Sequence, residues 1–194
     1  MNIQAQYKEL SDAELIRLYL QTHNDGHFNA LYRRYAAKVY GKCYSILKDG
    51  ELAHDAVQDI FVKVMMSVSG FSEKSQFSTW LYSITYNYCI DAVRKKTKEK
   101  LLFSEDIERA PDVADEDVPD EHLMEMDVKH LKEVLDVLPE GDRMVLLMKY
   151  QDDMSIRDIA DILHKTESAT KMKVKRAKQK ALEVFMKNKV KRGE

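Results

Sequence analysis

The sequence predicts an all-α protein: two small helical domains joined by an acidic, flexible linker, with a helix-turn-helix in the C-terminal domain. Three observations carry this. Gly and Pro number only 6 and 3 in 194 residues, too few for a strand-rich fold that needs a turn every 8–12 residues or so. Apolar residues recur at helical spacing through most of the chain. Between the helical stretches, SEDIERAPDVADEDVPDEHLMEMD (104–127) has Arg109 as its only Lys or Arg, and two of the three prolines. Such an acid run buries too little apolar surface to offset its ordering entropy. The expected division is 1–100, a linker over 101–127, and 128–194.

Composition narrows the class. The chain is 44% hydrophobic and 33% charged, with a formal net charge of −2 and a mean hydropathy of −0.49. No apolar run approaches the roughly 20 residues that span a bilayer, so no membrane insertion is expected. MNIQAQYKELSDAEL lacks the basic start and apolar core of a signal peptide. Cys43 and Cys89 are far apart, without ligand-like spacing. They read as reduced core residues of a cytoplasmic protein, with no metal site.

The first helix opens at Ser11, where Glu14 three residues on completes a capping box. Leu15, Ile16, Leu18 and Tyr19 follow. The second runs from about Phe28 to Leu47 and stops at Lys48-Asp49-Gly50. The third, about Glu51 to Val68, buries Ala53, Ala56, Val57, Ile60, Phe61, Val64, Met65 and Val68. Its other face carries Asp55, Asp59, Val62 and Met66. Two acids followed by two apolar residues fit a partner-binding patch, and equally a solvated face with two exposed apolar residues.

The fourth helix, after a polar loop from Phe71, is apolar or aromatic on nearly every side. Phe77, Leu81, Ile84, Tyr88 and Ala92 form one candidate core stripe. The remaining aromatics lie beside Asn87, Arg94, Lys95 and Lys96. Aromatics interleaved with bases hold unstacked nucleotides; a central helix buried all round has the same composition.

In the C-terminal half, Leu131, Val134, Leu135 and Leu138 lead to Pro139, and a second helix spans about Gly141 to Tyr150. Ser155 caps a third, with Ile156, Ile159, Ala160 and Leu163 inward, and Thr166 caps a fourth. On this last helix Thr170, Val174, Ala177, Ala181 and Phe185 share the inward face. Ser168, Met172, Lys175, Arg176 and Gln179 lie opposite, flanked by Lys171 and Lys178 on one side and Lys173 and Lys180 on the other. A polar centre edged by lysines suits a helix in the DNA major groove, and the short helix before it makes a helix-turn-helix. A solvated face is the ordinary alternative for a Lys-rich helix. Lys173, Lys178 and Lys180 are expected on phosphate and Lys175 and Arg176 on base edges, with bracing of the module an alternative role for Arg176.

FNALYRRYAAKVY, AHDAVQDIFVKVM, FSTWLYSITYNYCIDAVRKK and LPEGDRMVLLMKYQDDMSIRDIADIL, in this order and spacing, resemble segments of bacterial RNA polymerase sigma factors of the extracytoplasmic-function (ECF) group. The resemblance covers nearly the whole chain. It implies a non-enzymatic initiation factor without cofactor. Its partners would be core RNA polymerase (the β′ clamp helices and the β flap), promoter DNA and an anti-sigma factor. Asp55, Gln58, Asp59, Val62 and Met66 would dock on the clamp helices. Lys74, Ser75, Phe77, Trp80, Tyr82, Asn87, Arg94 and Lys95 would hold the minus-ten element. Thr166, Ser168, Lys171, Met172, Lys173, Lys175, Arg176 and Gln179 would meet the minus-thirty-five element. The chain departs from the family at the turn, with His164 and Lys165 where Gly and an apolar residue are usual, and at Ser168 and Met172.

Two other classes fit parts of the sequence. His54-Asp55, with His27 and Asp91, resembles an HD-type metal phosphohydrolase, although helix angles separate His54 from Asp55. A helix-turn-helix repressor explains the C-terminal half but not the Asp55–Met66 face.

Overall fold

The computed structural model describes residues 7–73, 75–97 and 128–192, and among these no β-strand occurs. The expected linker over 101–127 lies outside the described residues. The chain divides into two compact units, Met1–Thr97 and Lys98–Glu194.

The first unit contains α1 (Asp12–Thr22), α2 (Asp25–Leu47), α3 (Gly50–Ser67) and α4 (Phe77–Thr97). Local chemistry sets the ends. Glu14 N donates to Ser11 Oγ and Ser11 N donates to Glu14 Oε2, the reciprocal capping box. Asn24 caps α2 and Asp49 caps α3 through side-chain oxygens. His23 and Lys48 end the two preceding helices in the left-handed conformation. α2 packs on each of the other three helices, and Leu15, Leu31, Val39, Ile60, Val64 and Leu81 lie at its core.

Two expectations about the core change. Met65 is 44% exposed, because the buried row Ala53, Ala56/Val57, Ile60/Phe61, Val64, Val68 leaves it at the edge. On α4 the buried row is Phe77, Leu81, Thr85, Cys89 and Val93, joined by Tyr86 and Ile90. An i, i+4 row drifts about 40° per step on a 3.6-residue helix, so the buried face winds around α4. Thr85 can be buried because its hydroxyl donates to Leu81 O at 2.9 Å, leaving Ile84 and Tyr88 partly exposed. Cys43 and Cys89 are buried free thiols with Sγ atoms 3.8 Å apart.

The second unit contains α5 (Val128–Val137), α6 (Glu140–Leu146), a π-helical turn (Leu147–Gln151), α7 (Ile156–Leu163) and α8 (Glu167–Arg192). α8 touches α5, α6 and α7. Its inward residues Thr170, Val174, Ala177 and Ala181 are buried, as its angular pattern predicts. Ser155 and Asp158 form a second reciprocal capping box at the start of α7. Among the described residues no helix is long and apolar enough to cross a membrane.

Candidate nucleic-acid and partner interfaces

Three surfaces collect the residues singled out in the sequence. On α3, Asp55, Gln58, Asp59, Val62 and Met66 are all exposed, Val62 at 52% and Met66 at 78%. The helix buries its opposite side in the core, so this face stays outward. One member is tied down: Tyr88 Oη on α4 donates to Asp59 Oδ2 at 2.7 Å. Burial, then the Asp59 hydrogen bond and charge, push the Tyr88 phenol up to about 12. Lys63 Nζ stands 5.1 Å from the Tyr88 ring centroid, completing an acid–phenol–base cluster across the two helices.

At the start of α4, Phe71, Phe77 and Trp80 pack with ring centroids 5.3–5.8 Å apart, and Tyr35 reaches Phe77 at 5.4 Å. Phe77 is therefore 3% exposed. It cannot itself meet a DNA strand, because its ring is the centre of this cluster. Its role is corrected to supporting Trp80, which is half-buried. Ser75 and Lys95 are exposed and Asn87 is half-buried. Tyr82 is half-buried with Lys42 Nζ 4.2 Å above its ring. Lys74 and the Arg94 side chain lie outside the described residues.

Beside the aromatic cluster opens a cleft of about 290 Å³, lined by Tyr35, Phe71 and Phe77 and by Asp12, Ser75 and Gln76. Tyr35 Oη donates to Asp12 Oδ2, and Arg34 pairs with Asp12 Oδ1. Burial and the Asp12 bond together raise the Tyr35 phenol above its ordinary value, keeping it a neutral donor. Sequence spacing missed Asp12, Tyr35 and Gln76, which come from three separate segments. The only local hint was the polar loop before α4.

In the second unit, α7 ends at His164, whose φ of 54° is left-handed. Lys165 N donates to Ala160 O at 3.0 Å, closing the turn as a helix C-cap requires. Ala169 N then donates to Thr166 Oγ1 at 3.2 Å, starting α8. Ser168, Lys171 and Met172 are exposed, and Lys175, Arg176 and Gln179 are half-buried. Ser168, Met172, Lys175 and Gln179 lie on the side of α8 away from its core, with Lys171 on the flank and Arg176 partly turned inward.

The flanking lysines differ from expectation. Lys173 is 6% exposed, and its Nζ lies 3.8 Å from Asp142 Oδ1. Lys180 Nζ donates to Asp142 Oδ2 at 2.7 Å. Lys178 is also buried. Lys173 is thus corrected from an outward DNA contact to an internal ion-pair member, Lys178 is buried away from the surface, and Lys180 is exposed but paired with Asp142. Long aliphatic stems let lysines lie along the apolar flank of a helix, which angular spacing does not reveal. Asp142, which pairs with Lys173 and Lys180, lies on another helix and does not stand out by local spacing. Arg176 has its Nε buried, which favours bracing over base reading.

The HD-type arrangement does not assemble. The His54 ring packs on Tyr40 at 4.5 Å and the His27 ring on Tyr7 at 5.4 Å. Among the described residues no three His, Cys, Asp or Glu side chains converge.

The described residues form two helical modules, the second containing a helix-turn-helix. The protein-family model Sigma-70 region 2 matches residues 31–99, and Sigma-70, region 4 matches residues 130–180. The chain belongs to the sigma-70 family of RNA polymerase sigma factors, in its extracytoplasmic-function group. It is 28% identical over 152 residues to the ECF RNA polymerase sigma factor SigW of Bacillus subtilis, covering 75% of this chain and 81% of that protein. It is 26% identical over 179 residues to the ECF RNA polymerase sigma-E factor of Haemophilus influenzae, covering 89% and 94%. Among solved structures, the fold is similar to that of CnrH in complex with the cytosolic domain of CnrY. The TM-score is 0.57 at 19% identity, over 90% of this chain and 96% of that one. It is also similar to RpoE in complex with the anti-sigma factor NepR from Bartonella quintana, with a TM-score of 0.58 at 21% identity over 82% and 96%.

Proposed function

We propose that this chain binds core RNA polymerase and directs promoter-specific transcription initiation from the cytoplasm, as a non-enzymatic factor needing no cofactor. Residues 1–100 form the module that docks on polymerase and takes the minus-ten element. Residues 101–127 form the tether, and 128–194 form the module that reads the minus-thirty-five element.

The observation that carries this reading is the succession of region 2 and region 4 in one chain, each with its candidate surface turned outward. Asp55, Gln58, Val62 and Met66 present an acidic-to-apolar strip, with Asp59 held beside it by Tyr88. The 290 Å³ cleft offers the half-buried Phe71 ring and the polar groups of Asp12, Ser75 and Gln76 to an unstacked base. Trp80 and Asn87 stand on α4, whose first residue, Phe77, lines the cleft. The exposed α8 face offers Lys171, Met172 and Lys175 to a major groove.

The anti-sigma factor NepR bound to a structural relative supports a similar inhibitor for this chain. The test is reconstitution: purified chain and core polymerase are co-eluted, then assayed for run-off transcription on templates selected by the holoenzyme. Co-elution with template-specific transcripts is the expected result. Absence of both, from a folded chain, would overturn the reading.

A further inference from the structure

Asp142 is a buried carboxylate on α6, and both its oxygens face lysines of the basic helix α8: Lys180 at 2.7 Å and Lys173 at 3.8 Å. We propose that Asp142 is a positioning residue for duplex recognition: it fixes the rotation of α8 about its own axis and withholds Lys173 and Lys180 from DNA phosphate. The inference rests on the reading of α8 as the duplex-binding helix.

The geometry carries it. Lys173 and Lys180 are seven residues apart, about two helical turns, so they lie nearly in line along one side of α8. A single carboxylate on α6 reaches both, so α8 cannot rotate about its axis without breaking at least one pair. The Asp142 side chain is 5% exposed and that of Lys173 6%, where solvent and salt screen a pair far less than at the surface. Lys180 keeps 46% exposure, so its charge stands at the rim but is directed inward. With that flank occupied, the side of α8 left to face a groove is Ser168, Lys171, Met172, Lys175 and Gln179. Counting every lysine on α8 would therefore overstate its phosphate contacts.

Salt dependence separates this from a purely structural role. Each phosphate neutralised contributes about 0.9 to the slope of log K against log salt on duplex DNA. The full-length chain is titrated with a fluorescent duplex of mixed sequence, and slopes are compared among variants that share the wild-type melting curve. Lys171→Gln is expected to lower the slope by about 0.9, and Lys180→Gln to leave it nearly unchanged. Asp142→Asn, where it folds, is expected to raise the slope as Lys180 is released toward phosphate. Lys180→Gln is the decisive variant, since its half-exposed side chain can be lost without emptying the core.

Equal drops for Lys171→Gln and Lys180→Gln would overturn the proposal while leaving α8 as the DNA helix. No drop for either would instead overturn the reading of α8 on which it rests.

Discussion

Tyr88 Oη donates a 2.7 Å hydrogen bond to Asp59 Oδ2, so the α3 face proposed to meet polymerase is tied to the helix proposed to hold the promoter strand. On the proposed docking, Asp59 would serve both, and a substitution there would disturb α3–α4 packing as well. Val62 and Met66 carry no such tie and test the docking surface more cleanly.

Val62→Lys, alone or with Met66→Lys, should change thermal stability by no more than about 0.5 kcal/mol, as exposed positions do. Binding to core polymerase should weaken about tenfold or more, the loss of roughly 1.4 kcal/mol that a central contact supplies. Competition binding against the wild-type chain measures this. Undiminished affinity in the double variant would remove α3 from the interface.

The same hydrogen bond predicts an alkaline stability loss. The folded Tyr88 phenol is raised from its ordinary value of about 10 to about 12, so the folded state holds its proton more tightly than the unfolded chain. That stabilisation is fully present below about pH 10 and is lost as pH rises toward 12. Tyr35, raised by burial and Asp12, acts in the same direction. Chemical denaturation between neutral pH and pH 11 should show the decline, and Tyr88→Phe should flatten part of it. An unchanged profile in Tyr88→Phe would mean that the bond does not persist in solution.

Phe77 and Trp80 should separate by role. Phe77→Ala removes the centre of a buried ring cluster and should cost about 3–5 kcal/mol. Trp80→Ala, at a half-buried site, should cost less stability yet reduce promoter opening, read with permanganate footprints on the holoenzyme. If Trp80→Ala opens promoters normally, Trp80 is only structural.

His164 should be a gain-of-stability site. A non-glycine residue in the left-handed region costs about 1–2 kcal/mol, and glycine returns part of that by loosening the unfolded chain. His164→Gly should therefore stabilise the second unit by about 0.5–1 kcal/mol, seen as a higher melting temperature. A lower one would mean that the His164 side chain supports the turn.

The sequence by itself determined the helices, most of their ends and the two modules, since those depend on interactions spanning a few residues; it missed the Asn24 cap that starts α2 at Asp25 and the π-helical turn at Leu147. Ser11 with Glu14, Ser155 before α7, Thr166 before α8 and the inward row Thr170, Val174, Ala177 and Ala181 are all of this kind. The outward α3 strip followed from the same periodicity, because one buried stripe leaves the opposite side outside. Tertiary structure alone decided what the long polar side chains do. Lys173 and Lys180 turn to Asp142 more than thirty residues away, and no local spacing encodes a partner on another helix. It also decided that Thr85 replaces Ile84 on the core side of α4, whereas Phe77 is buried as its place in the candidate core stripe predicts. A hydroxyl that bonds its own helix is cheap to bury, whereas a flexible lysine stem can follow either an apolar flank or the solvent. The cleft formed by Asp12, Tyr35, Phe71 and Gln76 exists only once three separate segments meet.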